Sequence, residues 1–215
     1  GSPDLILLPG SKNTTEDLLY IRETELETAI RERVTAGTPL FGICGGYQML
    51  GKVVRDPLHT ESEHDETAGF GYLPSETTFA AQKRLRQVTA SADFSFLGAH
   101  ISGRNLLGYE IHMGQTDFLE KPFRPFQIAQ EDNFVSDGAV SSDGLVIGTY
   151  IHGIFDDDDF RRSLLNRLRV QRGWSEIPVQ YRYREEKERA YDRLAETVRA
   201  SLDMEKLQAI LEGDR

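Results

Sequence analysis

One stretch limits this chain to a small set of folds: residues 39–51, PLFGICGGYQMLG. A short apolar run, suited to a buried strand, meets a cysteine and a glycine pair and then passes into a helical pattern. Gly42 and Gly46 stand two residues either side of Cys44, the spacing of a sharp strand-to-helix elbow that lifts a nucleophile to the rim of a sheet. Glycine is expected at both places because neighbouring elements approach too closely for a Cβ. The helix that follows offers unpaired N–H groups and a positive dipole end, which predicts that Cys44 favours the thiolate. A lone cysteine is more often a small buried hydrophobe. A core cysteine has no need of flanking glycines, so Cys44 is read as a nucleophile.

The rest of the chain supplies a sheet around that elbow. Residues 4–8, DLILL, form a continuous apolar run typical of a parallel strand covered on both faces. A turn-rich loop from Gly10 to Thr14 follows, then helices over 16–20, with Thr15 as cap, and 23–35, stopped by Gly37. A strand at 39–43 completes a β-α-β order, which predicts a doubly wound, mostly parallel α/β sheet flanked by helices. Strand-like segments at 77–79, 87–91, 107–116 and 126–129 and a hairpin near 137–144 predict an antiparallel extension. Beyond residue 157 the pattern is helical, with segments at 159–172, 182–201 and 204–211. The expected domains are residues 3–172 and a helical extension, 173–215, packed on the same domain.

In an open α/β sheet, ligands bind at the carboxyl ends of the strands. Gly10 and Cys44 both lie at such ends, so N–H groups of Gly10 or Ser11 and of Gly45 are candidates for an oxyanion hole. Residues 145–151 read as the last buried strand and deliver His152 to the same rim. Of the five histidines, only this one ends an apolar strand and precedes a glycine, which makes it the candidate general base. Between residues 55 and 67 lie His59, Glu61, Glu63, His64, Asp65 and Glu66. These are metal-capable types without ligand spacing, so the segment reads as a solvated loop and no metal is expected.

Composition narrows the partners. The formal charge of −10 disfavours nucleic acid, whose phosphates need a basic surface. No apolar run approaches the roughly 20 residues that span a bilayer, so no membrane partner is expected. A single cysteine in 215 residues forms no internal disulfide, which suits a reducing cytoplasm. Strand-forming sequence begins almost at residue 3, as in a fragment of a longer polypeptide.

GICGGYQ at 42–48, with YIHGIF at 150–155, resembles a class I, triad-type glutamine amidotransferase domain. More narrowly, LPGSKNT at 8–14, GYEIHMG at 108–114 and GTYIHGIF at 148–155 resemble the glutaminase domain of the cobyric acid synthase family. The resemblance implies a flavodoxin-like three-layer fold. It also implies that Cys44 attacks the side-chain amide of glutamine, that His152 moves the protons, and that Gln48 contacts substrate. Class members usually carry a glutamate two residues after the histidine. Ile154 stands there, as in the cobyric acid synthase branch, which leaves Glu110 and then Asp156 as candidates to orient the imidazole. The family further implies an N-terminal ATP-dependent synthetase domain that receives the ammonia for corrinoid amidation in cobalamin biosynthesis. ATP and magnesium are expected there and no cofactor here, and the chain shows no phosphate loop of the GxxxxGK[ST] kind. The alternatives are the glutaminase of cobyrinic acid a,c-diamide synthase or of a cell-wall amidating complex, a non-catalytic docking module, and a peptidase or deglycase relative on the same fold.

Overall fold

The computed structural model describes residues 2–131 and 133–213. Two compact units are present, Gly1–Pro178 and Val179–Arg215. The first unit extends six residues past the expected boundary because Asn166 exchanges two hydrogen bonds with the Ile177 backbone, at 2.9 and 3.1 Å, and Arg169 lies over the Trp174 ring.

In chain order the first unit holds β1 (Ile6–Leu8), α1 (Thr14–Glu23), α2 (Leu26–Thr35), β2 (Leu40–Ile43), α3 (Gly45–Met49), β3 (Val53–Arg55) and β4 (Glu66–Ala68). Then come β5 (Ser75–Phe96), β6 (Ala99–Phe118), β7 (Phe126–Ala129), β8 (Phe134–Asp137), β9 (Ala139–Val140), β10 (Val146–Thr149), a 3₁₀ turn (Ile154–Asp156) and α4 (Asp158–Gln171). The second unit holds α5 (Tyr183–Ser201) and α6 (Met204–Glu212).

The first sheet has the order β1-β2-β10-β9, with its first three strands parallel and β9 antiparallel at the edge. Leu40 and Phe41 point to opposite faces of β2 and both are buried, in different core clusters, so the sheet is covered on both sides there, whereas β1, expected to be covered on both faces, is an edge strand that leaves Leu7 exposed. The second sheet runs β4-β3-β5-β7-β8, with β6 paired to β5. It is larger than the expected extension because the segments at 77–79 and 87–91 are one long strand. Every second residue of β5 from Val88 to Phe96 is buried, and a register shift between Phe79 and Arg84 carries the strand across its polar middle. Leu97 and Gly98 form the hairpin turn between β5 and β6.

Helix caps sit where short polar side chains reach the first turn. Asn13, not Thr15, caps α1 by accepting from the Glu16 N–H at 3.0 Å, and Asp157 caps α4 through the Phe160 N–H at 2.9 Å. Gly37 ends α2 with φ +92°, as its place in the sequence suggests. Among the described residues no helix is long and apolar enough to cross a membrane.

Candidate active site

The elbow forms where β2 meets α3. The Cys44 N–H donates to Thr149 O on β10 at 2.8 Å, which ties the turn to the neighbouring parallel strand. Cys44 itself has φ 51° and ψ −109°, a left-handed conformation for a residue with a side chain. Such strain costs on the order of 1–3 kcal/mol and persists only where the surroundings enforce it. They do so here: the Gly46 N–H donates to Pro9 O at 3.0 Å, and a Cβ on Gly46 would lie 2.1 Å from the Leu8 carbonyl oxygen.

The carboxyl ends of β1, β2 and β10 bring Gly10, Cys44 and His152 together. A Cβ on Gly10 would lie 2.7 Å from His152 Cε1 and 3.7 Å from Cys44 Cβ, so the glycine fills the narrow space between the imidazole and the cysteine side chain. Ser11 is equally close to the elbow, its backbone nitrogen 2.8 Å from where a Cβ on Gly45 would stand. The Gly45 N–H is directed at the sulfur. Cys44 and His152 line one cavity of about 540 Å³, within the usual range for small-molecule sites.

The thiol is not the thiolate that the elbow predicts. Burial pushes Cys44 up to about 11; the Gly45 N–H opposes that, while the carboxylates of Glu61, Asp137 and Glu110 add to it. α3 has only five residues, and its contribution is outweighed by desolvation. Burial likewise lowers His152. At neutral pH the thiol and the imidazole are therefore both uncharged, and the thiol donates to Ile111 O at 3.4 Å rather than to the ring.

Neither acid proposed from the sequence orients His152. The buried Glu110 carboxylate pairs with Arg86, and its other oxygen is 4.0 Å from His112 Nε2. Asp156 sits in the 3₁₀ turn, where its N–H donates to Gly153 O at 2.9 Å, and its carboxylate makes no hydrogen bond to the imidazole. Adjacent residues of a strand face opposite ways, so Glu110 turns from the ring that Tyr109 meets. Tyr109 and His152 exchange both backbone hydrogen bonds, at 3.1 and 2.8 Å, and their rings stack 4.9 Å apart and 5° from parallel. Gly108 permits this approach, since a Cβ there would lie 2.4 Å from His152 O. His152 Nε2 is buried with no partner among the described residues, so one ring nitrogen is uncommitted. Ile154, in the position where an acid is usual, is a core residue.

Gln48 lies on the cavity wall with its amide held at both ends. Thr14 Oγ1 donates to Gln48 Oε1 at 3.0 Å, and Gln48 Nε2 donates to the Tyr150 hydroxyl at 3.3 Å. Tyr150 in turn bonds Thr116 Oγ1 at 2.6 Å and stacks on His112, centroids 3.9 Å apart. His112 is held by Gly114 O at 2.8 Å and also lines the cavity.

The loop between β3 and β4 is not simply solvated. Glu61 and Thr60 reach the cavity, while the flanking Glu63 and Asp65 are exposed. Sequence reading missed Tyr109, Thr14 and Glu61 as site residues. The first two sit inside motifs already singled out, at 108–114 and 8–14, whereas Glu61 has no local signal beyond its charge.

Residues 1–160 match the CobB/CobQ-like glutamine amidotransferase domain. Among curated relatives, the cobyric acid synthase of Streptococcus sanguinis (strain SK36) is 44% identical over 216 residues, 98% of this chain and 41% of that protein. The cobyric acid synthase of Moorella thermoacetica is 44% identical over 221 residues, 100% of this chain and 42% of its own length. The chain thus spans about two-fifths of the length of these relatives. A solved structure of PurLQS from Thermotoga maritima superposes with a TM-score of 0.53 at 16% identity, over 77% of this chain and 80% of that one, which shows a shared fold. The chain belongs to the CobB/CobQ-like glutamine amidotransferase domain family.

Proposed function

We propose that this chain hydrolyses glutamine at Cys44 and, as part of a cobyric acid synthase, supplies the ammonia for ATP-dependent amidation of corrinoid carboxylates. The observation that carries the chemistry is the Gly10 gap, with the His152 ring on one side and Cys44 Cβ on the other. The names of the whole-chain relatives support the choice of pathway.

His152 takes the Cys44 proton as sulfur attacks the γ-carboxamide carbon. The carbonyl oxygen becomes an oxyanion, for which the N–H groups of Gly10 or Ser11 and of Gly45 are the nearest donors. The imidazolium returns its proton to the leaving nitrogen, ammonia departs, and a γ-glutamyl thioester remains. His152 then deprotonates water for attack on the thioester, and the departing sulfur recovers a proton as glutamate leaves. Gln48, held by Thr14 and Tyr150, shapes the wall against which substrate lies. In this reading ATP and magnesium belong to a synthetase portion outside this chain, and a reducing cytoplasm keeps the single thiol free.

The test is glutamate release from glutamine by the wild-type chain and by Cys44→Ala, alongside labelling of Cys44 by a diazoketone analogue of glutamine. Turnover and a single adduct in the wild type, both lost in the variant, are expected. Turnover by Cys44→Ala would refute the thioester, and a wild type that neither turns over nor labels would make the domain a docking module.

A further inference from the structure

The loop joining β3 to β4 is built around one buried carboxylate. Asp56, 1% exposed, accepts from the N–H groups of Thr60, Glu61 and Ser62 at 2.8, 2.8 and 2.9 Å and from Thr60 Oγ1 at 2.8 Å. Asn13 Nδ2 fastens the same loop to the start of α1 by donating to Glu61 O at 2.6 Å. The result is that Glu61 is held over the catalytic cavity, where it is the only carboxylate among the described lining residues. Its Oε2 accepts from the Thr14 N–H at 3.2 Å. A carboxylate has about four acceptor sites, so that bond leaves capacity unused.

A glutamine whose γ-carboxamide reaches Cys44 must place an α-ammonium and an α-carboxylate two methylenes farther along the cavity. The carboxylate has lysines to meet, Lys12 and Lys83, on the cavity wall. The ammonium has one anionic partner there. We propose that Glu61 binds the α-ammonium of glutamine and so selects an α-amino acid over other primary amides. This rests on the glutaminase reading and adds the residue that recognises the far end of the substrate.

The assignment also gives Glu61 a second effect. Its negative charge is one of the influences that keep the Cys44 thiol protonated. An ammonium docked on it cancels that charge, so substrate of the right kind relieves part of the barrier to ionising the nucleophile, whereas an amide without the ammonium does not.

The test compares wild type with Glu61→Gln, which keeps an oxygen for the Thr14 N–H, on glutamine and on glutaramate, the same γ-amide without the α-amino group. The expected result is a fall of about 10- to 100-fold in kcat/KM for glutamine, mostly in KM, from loss of one charge-assisted hydrogen bond. Glutaramate is affected far less, so the preference for glutamine collapses. Alkylation of Cys44 by iodoacetamide, which carries no ammonium, becomes faster in the variant. Equal losses on both amides, or an unchanged preference, would overturn the assignment while leaving glutamine hydrolysis intact. A wild type without turnover or diazoketone labelling would instead overturn the glutaminase reading, and this assignment with it.

Discussion

The His152 imidazole is held by Tyr109 rather than by an acid: the two residues exchange both backbone hydrogen bonds and their rings lie 5° from parallel. In a Ser-His-Asp arrangement a carboxylate fixes the ring and stabilises the imidazolium. Here the ring is positioned by a β-bridge and a flat aromatic contact, which orient it without adding charge.

If Tyr109 positions the base, Tyr109→Phe should retain kcat and Tyr109→Ala should lose it. A misplaced catalytic group costs on the order of 100-fold. Steady-state kinetics should show that loss in kcat with little change in KM. Equal activity of the two variants would mean that the backbone bridge alone holds the ring.

Glu110 gives the complementary test. An orienting acid would cost about 10⁴-fold in kcat when converted to its amide, whereas Glu110→Gln should cost far less than tenfold. Arg86→Ala leaves the buried Glu110 carboxylate without its guanidinium, and breaking a buried pair from one side costs about 3 kcal/mol of stability. Denaturant unfolding should report that loss, and kinetics should find the site working where the variant is folded.

Because burial holds the Cys44 thiol up to about 11, its alkylation by iodoacetamide should be slow at neutral pH. The rate should climb about tenfold per pH unit from pH 7 toward pH 10, following the thiolate fraction. A plateau near pH 7 would mean a resting thiolate and would overturn the neutral-pair description.

Asp137 should make stability fall as pH rises. Its carboxyl is pushed up to about 6 by burial, against 3.8 in the unfolded chain, although Thr149 Oγ1 and the Tyr150 N–H donate to it. Between those values the folded state binds more proton than the unfolded state, so the penalty is absent below pH 4 and complete above pH 6. Asp137→Asn, which keeps an acceptor oxygen, should therefore raise stability at pH 7.5 by up to about 3 kcal/mol. The gap should close below pH 4, and thermal melts across that range would detect it.

What could be read from the sequence was what is local in it. The elbow is legible because strand, cysteine, glycine pair and helix are contiguous, and Gly37 marks the end of α2 by its own φ. The end-of-strand positions of Gly10, Cys44 and His152 follow from the alternation of elements. The long β5 was harder to see, since its middle is polar and exposed and resembles a break between two strands.

Sequence by itself therefore determined the α/β frame and the two candidates that share its rim, the Cys44 thiol and the His152 imidazole, since each depends on a short apolar strand and the residue that ends it. Tertiary structure alone decided the ionisation of Cys44, the partner of His152 and the arrival of Glu61 in the cavity. Desolvation depends on everything packed around a group, and a strand's alternation tells which residues share a face but not which distant chain that face will meet.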